Sequence, residues 1–255
     1  MSNKIGLKLW SINTDYYYEE AKRLYDLQVF DYIELYVVPD TLDSIQKWKK
    51  LNIPFTLHAP HFAHKVNLAL ENNFSYNYEI FQQVNEFAKE LNSKYIIVHG
   101  GIEGNIRETA KQFSRISSEM PNKYLIENKP YFAPLGDNPK CRGFNFDEIK
   151  FVMNEADCGF CLDIGHSTCA ANSLKISSYE YLEKFLSLNP SCCHISGNLI
   201  DSEIDSHMHI SQGNYDYKKI LDMIGNSVDI SIETVKDSKF NLDDFVEDVK
   251  CIKMQ

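Results

Sequence analysis

Residues Cys158-Gly-Phe-Cys-Leu-Asp163-Ile-Gly-His166 run from a short apolar stretch into a carboxylate, with an imidazole three residues later. A carboxylate at the end of a buried strand is costly unless a cation meets it. Asp163-x-x-His166 therefore reads as an oxygen and nitrogen pair aimed at a divalent metal. The same grammar recurs along the chain. His58 stands in His-Ala-Pro-His, His99 in Val-His-Gly-Gly, and Glu127 in Ile-Glu-Asn-Lys-Pro. His194 follows Cys192-Cys193, Asp205-x-His207 comes soon after, and Glu233 stands in Ser-Ile-Glu-Thr. One such histidine alone would read as an ordinary hydrogen-bonded residue. Nine donors, four of them carboxylates, crowd too much negative charge together unless a cation joins them.

The elements that must position these donors are short. Eight apolar segments stand out: Ile5–Trp10, Tyr32–Val37, Pro54–His58, Tyr95–His99, Tyr124–Glu127, Gly159–Asp163, Cys192–Ile195 and Asp229–Glu233. The intervals leave room for a helix and two loops between successive strands. Ile80, Phe81, Val84, Phe87, Ala88 and Leu91 form one apolar stripe at helical spacing. Asn241 is placed to cap a last helix, with Asp243 and Asp244 in its first turn and Phe245, Val249 and Ile252 facing inward. No linker or low-complexity segment divides the chain. Strand and helix alternating eight times predict an α/β fold, a single (β/α)8 TIM barrel over residues 1–255, with a doubly wound open sheet as the alternative. In a barrel the C-terminal strand ends form one mouth, and all nine donors lie at or just beyond such ends.

Bulk composition narrows the function classes. A hydrophobic share of 44% and a charged share of 24% are ordinary for a soluble globular protein. No apolar run is long enough for a membrane span, and the start, Met1-Ser-Asn-Lys-Ile-Gly-Leu-Lys8, does not read as a signal peptide. A net charge of −10 argues against a protein that coats nucleic acid. Seven cysteines, two of them adjacent, do not suggest a disulfide framework, so a reducing cytoplasm is expected.

The ordered set His-Ala-Pro, Val-His-Gly, Glu-Asn, Leu-Asp-x-x-His, His-Ile, Asp-x-His and Ile-Glu-Thr resembles the xylose isomerase-like TIM-barrel superfamily across nearly the whole chain. That superfamily holds sugar and sugar-phosphate isomerases and epimerases together with endonuclease IV, the AP endonuclease family 2 enzymes. The resemblance implies that Glu127, Asp163, His194 and Glu233 form the shared metal quartet. It also implies that His58, His99, His166, Asp205 and His207 are the added ligands of a trinuclear zinc cluster in the endonuclease branch. One to three ions are thus expected. The imidazole-rich donors suit Zn²⁺, and the carboxylates also admit Mn²⁺, Mg²⁺ or Co²⁺. Gly213, in Ser211-Gln-Gly-Asn, stands where the superfamily has a Gly-x-Gly turn, with Ser211 in place of the first glycine.

Two departures bear on the branch. After the second strand the endonucleases carry an Asn-x-Arg-x-Trp element that grips DNA; this chain reads Glu34-Leu-Tyr-Val-Val-Pro-Asp40, with no arginine. After the seventh strand, where endonucleases have a basic stretch, it reads His194-Ile-Ser-Gly-Asn-Leu-Ile-Asp-Ser-Glu-Ile-Asp205, which would repel phosphate. The expected function is a metal-dependent sugar or sugar-phosphate isomerase or epimerase on a small carbohydrate, with Glu127 and Glu233 moving the proton. Phosphodiester hydrolysis at abasic DNA is the alternative, followed by a barrel that binds metal without catalysis. Lys8, Trp10, Glu34 and Lys129 are the expected substrate contacts. His61 and His64 read as loop residues because Pro60 breaks a helix there, His209 as a rim residue, Cys158-x-x-Cys161 as core, and Tyr16-Tyr-Tyr as helix surface and rim.

Overall fold

In the computed structural model, which describes residues 3–255, eight strands pair in parallel in chain order and close on themselves. They are β1 (Ile5–Trp10), β2 (Tyr32–Tyr36), β3 (Phe55–His58), β4 (Ile96–His99), β5 (Tyr124–Glu127), β6 (Gly159–Asp163), β7 (Cys192–Ile195) and β8 (Asp229–Ile232). Each expected segment is a strand to within one residue at either end. The barrel replaces the open-sheet alternative, because β1 hydrogen-bonds to β8 as well as to β2.

Side chains of a strand alternate between two faces, and here both faces are dry for most of their length. Leu7, Leu9, Ile33, Leu35, Leu57, Ile96, Val98, Ile126, Phe160, Leu162, Ile230 and Ile232 face outward into the main core. Helices cover that layer: α1 (Tyr18–Asp26), α2 (Ile45–Lys49), α3 (Phe74–Leu91), α4 (Ile106–Glu119), α5 (Phe146–Ala156), α6 (Ile164–Leu174), α7 (Ser178–Leu186), α8 (Tyr217–Ile224) and α9 (Asp243–Lys253). The stripe foreseen from Ile80 to Leu91 is the buried face of α3. The alternate residues Ile97, Leu125, Cys161 and Cys192, with Tyr95, form a second, separate apolar cluster in the lumen. All seven cysteines are free. Among the described residues no helix is long and apolar enough to cross a membrane.

Three local outcomes differ from expectation. The last helix starts at Asp243 after Leu242, and Asn241 Oδ1 accepts the Asp243 N–H at 3.2 Å from one position further out than a cap. Tyr17 is buried rather than a rim residue, its hydroxyl donating to Ser238 O at 2.5 Å and joining the connections that follow the neighbouring strands β1 and β8. His209 is not on the rim either. Its Nδ1 bonds Asp248 Oδ2 at 2.9 Å, tying the chain after β7 to α9, and Asp248 also accepts from Thr234 Oγ1 and Ile210 N.

Candidate metal centre

The centre is built on the inward-facing residues at the strand ends. Strand register puts Lys8 beside Glu34, Tyr36 beside His58, His99 beside Glu127, and Asp163 beside His194. β6 passes into α6 with no loop between them. Asp163 is thus both a strand end and the N-cap of α6, its Oδ1 accepting the His166 N–H at 2.7 Å. This turn explains Gly165: a Cβ there would come within 2.8 Å of Asp205 Oδ1. Asn128 locks the neighbouring strand end. Its amide donates to Asp163 O at 2.9 Å and accepts from Asp163 N at 2.8 Å.

The donors fall into sets with the ligating atoms in each within 4.8 Å of one another: Glu127, Asp163 and His194; His58, His99 and Glu127; His166, Asp205 and His207; and Glu233 joins His194 in a set with Glu34. Glu127 links the first two sets. Its Oε2 lies 3.0 Å from His58 Nε2, and its Oε1 lies 3.1 Å from His99 Nε2 and 3.0 Å from His166 Nδ1. The third set is drawn together by Asp205 Oδ2, at 2.8 Å from His207 Nε2 and 3.3 Å from His166 Nε2. His207 adopts a left-handed backbone (φ 45°), a conformation His tolerates better than most residues, and its Nδ1 donates to Glu233 O at 2.8 Å. The nine expected donors thus meet at one end of the barrel.

A single atom shows how a divalent cation fits the first set. His194 Nδ1 is buried with no hydrogen-bond partner among the described residues. Around it lie Glu233 Oε1 at 3.1 Å, Glu127 Oε2 at 3.5 Å and Asp163 Oδ2 at 3.7 Å. The other ring nitrogen, Nε2, faces Glu34 Oε2 at 3.1 Å, an outer partner of the kind that orients metal-binding imidazoles. Three acids and an imidazole nitrogen with no proton-mediated contact among them are a donor set suited to a divalent ion.

The electrostatics agree. Burial works against charge on Glu127, yet His99, Lys129 and hydrogen bonds from His166 and His58 hold it well below the usual carboxylate range. Asp163 is pushed up to about 6, by burial first and then by Asp205 and Glu127. Against the cost of burial, Asp163 and the hydrogen bonds to Asp205 and Glu127 draw His166 up to about 10. Against the same cost, Asp205 draws His207 up to about 9. The cluster thus recruits positive charge onto His166 and His207, whereas burial holds His58 and His99 below the usual imidazole range.

Beneath the donors, Lys8 Nζ bridges Glu34 Oε1 and Glu233 Oε1, each at 2.5 Å. Glu34, expected to touch substrate, has no exposed surface. It lies under the cleft, where it also accepts from Ser231 Oγ at 2.5 Å. Lys8, Trp10 and Lys129 do line the cleft, which has a volume of about 700 Å³. Two further lining residues are not evident as such from the sequence. Tyr36 stacks on His58 with ring centroids 5.4 Å apart and bonds His64 Nδ1 at 2.8 Å. His61 is a loop residue whose Nδ1 accepts the Ala63 N–H, yet its ring stacks on His99 at 4.7 Å. The alternation Tyr32, Glu34, Tyr36 along β2 is the available signal for Tyr36.

The family model of the xylose isomerase-like TIM barrel matches residues 28–254. This chain belongs to that family. Members of the xylose isomerase-like superfamily are enzymes. Among curated relatives, a probable endonuclease 4 of Mycobacterium tuberculosis (strain ATCC 25177 / H37Ra) is 27% identical over 146 residues, 53% of this chain and 54% of the relative. The match thus spans about half the length of that relative. Two solved structures share the fold over nearly the full length of both chains. A D-tagatose 3-epimerase-like protein superposes with a TM-score of 0.73 at 21% identity, covering 98% of this chain and 96% of its own. Endonuclease IV from Thermus thermophilus superposes with a TM-score of 0.71 at 16% identity, covering 98% of each.

Proposed function

We propose that this xylose isomerase-like barrel is a divalent-metal-dependent isomerase or epimerase of a sugar or sugar phosphate. The observation that carries this reading is the pairing of Glu127 and Glu233 on either side of His194 Nδ1, on β5 and just beyond β8. They stand at the floor of a cleft with no free cation among the described residues. Of the lining residues only Lys8 and Lys129 are lysines, none is an arginine, and each lysine is held by a carboxylate. A surface that grips a phosphodiester backbone needs cations to spare.

Glu127, Asp163, His194 and Glu233 are the residues that would hold the ion. When bound, a divalent cation polarises the carbonyl or hydroxyl oxygen of the substrate and so acidifies the neighbouring C–H. Glu233 is kept anionic by His194 and Lys8 despite its burial, as a base awaiting a carbon acid must be. It takes the proton from the carbon beside the carbonyl. Return of that proton to the adjacent carbon interconverts aldose and ketose; epimerisation takes a proton from the opposite side, where Glu127, anionic at rest, would first receive one from the His166 imidazole 3.0 Å away. Trp10, Tyr36, Phe62 and Phe132 give the cleft apolar walls that hold the sugar ring and exclude water.

The second reading, hydrolysis at abasic DNA, is favoured by the three complete donor sets and by the endonuclease 4 name of the relative above. The test is to incubate the zinc-loaded protein in D₂O with a panel of ketoses and ketose phosphates, and separately with a duplex holding one abasic site. Deuterium entering the sugar beside its carbonyl, with the duplex intact, supports the isomerase reading. Nicking of the duplex without exchange in any sugar overturns it.

A further inference from the structure

Lys129 has a part in this site that neither enzyme class explains. It sits two residues beyond the strand-end Glu127 and directly before Pro130, which restricts its backbone to extended conformations. Its backbone N–H is fixed by Gly143 O at 3.0 Å. The residue is only 5% exposed, so its nitrogen is turned inward. Nζ lies 3.3 Å from Glu127 Oε1, 3.2 Å from His99 Nε2 and 3.2 Å from His166 Nε2. It therefore touches one imidazole from each of the two accessory donor sets, along with the carboxylate that joins them to the first. It touches neither Asp163, His194 nor Glu233.

We infer that the Lys129 ammonium stands in for the second and third ions, so that this barrel binds one divalent cation, in the Glu127–Asp163–His194–Glu233 set, instead of three. The inference rests on the reading that this quartet binds a metal. An imidazole nitrogen has a single lone pair, and the one that His99 Nε2 directs at the Lys129 ammonium is withdrawn from a metal, while the same ammonium packs against both ring nitrogens of His166, at 3.3 and 3.2 Å. A divalent cation placed against His99 or His166 would stand beside the fixed Lys129 charge, an unfavourable like-charge contact in a low-dielectric cluster. A lysine is a compact point charge that can do this work without the geometry a metal demands.

The test counts ions. Wild type, Lys129→Met and Lys129→Arg are stripped with chelator, reloaded with ZnCl₂ and desalted; zinc per chain is then read by elemental analysis and by native mass spectrometry. The expected result is one ion in wild type and in Lys129→Arg, rising two- to threefold in Lys129→Met, with circular dichroism unchanged. Two or three ions in wild type overturn the inference and leave the metal-site reading standing, a result independent of how any variant folds. One ion in a folded Lys129→Met also overturns it. No ion in wild type overturns both.

Discussion

The lumen of the barrel holds two layers built on the same strands. On β4 Ile97 is followed two residues later by His99, on β5 Leu125 by Glu127, on β6 Cys161 by Asp163, and on β7 Cys192 by His194. The lower members pack with Tyr95 into an apolar plug; the upper ones belong to the groups that could hold a metal ion. Two residues of strand span roughly 7 Å, so the change from aliphatic contact to concentrated charge happens within one side-chain layer. The plug closes the lumen from below and keeps water off the underside of the acids, where their fields would otherwise be screened. Stability and chemistry are thus stacked and should be separable by substitution.

The sharpest way to break that division is Glu233→Gln, which keeps shape and removes the base. Turnover, measured as deuterium entry into the substrate, should fall on the order of 10²–10⁴-fold, with the circular dichroism spectrum of the folded protein retained. Loss of that spectrum instead would mean that the upper layer also holds the barrel together. In the lower layer Leu125→Ala should cost about 2–5 kcal/mol in urea denaturation while the zinc content stays at the wild-type value. Loss of zinc in that variant would show the layers to be one unit. Chelation should act from above only: at free zinc about 100 times Kd, stripping the ion should lower stability by roughly 2.7 kcal/mol, read as a drop in Tm that zinc restores. Least affected of all should be a change outside both layers. Asn145 caps α5 by accepting the Glu148 N–H at 2.9 Å, and Asn145→Ala should cost about 1 kcal/mol with zinc content and turnover intact.

Much of this was legible in the sequence for a physical reason. A strand buried on both faces is a short apolar run, and its end is announced by the first polar residue; hence Asp163, Glu127 and His99 are recognisable as strand ends from the sequence. What spacing does not encode is which side chains face each other across the barrel. Lys8 reads as a free strand-end cation until Glu34 and Glu233, 26 and 225 positions away, are seen to hold it. His209 reads as another exposed imidazole until Asp248 is found beneath it. Glu34 shares the β2 pattern of Tyr36, yet one turns out to be floor and the other wall, because depth along the barrel depends on the stagger of all eight strands. Asn241 misses the cap by one residue, because a helix start can shift by a residue or two without changing the buried face.

The fusion of β6 to α6 at Asp163 makes the metal cluster lopsided. One jaw of the vice is cast in a single piece with the scaffold: the carboxylate cannot swing without uncapping a helix. The other jaw, Asp205 and His207, hangs on the long connection between β7 and α8, held by His207 Nδ1 to Glu233 O and the Gly197–Met208 bridge and not by the end of a strand or helix. Any adjustment to a larger ion or a bulkier guest must therefore come from that side, and the grip of the site is set by how far a loop travels toward an immovable stop.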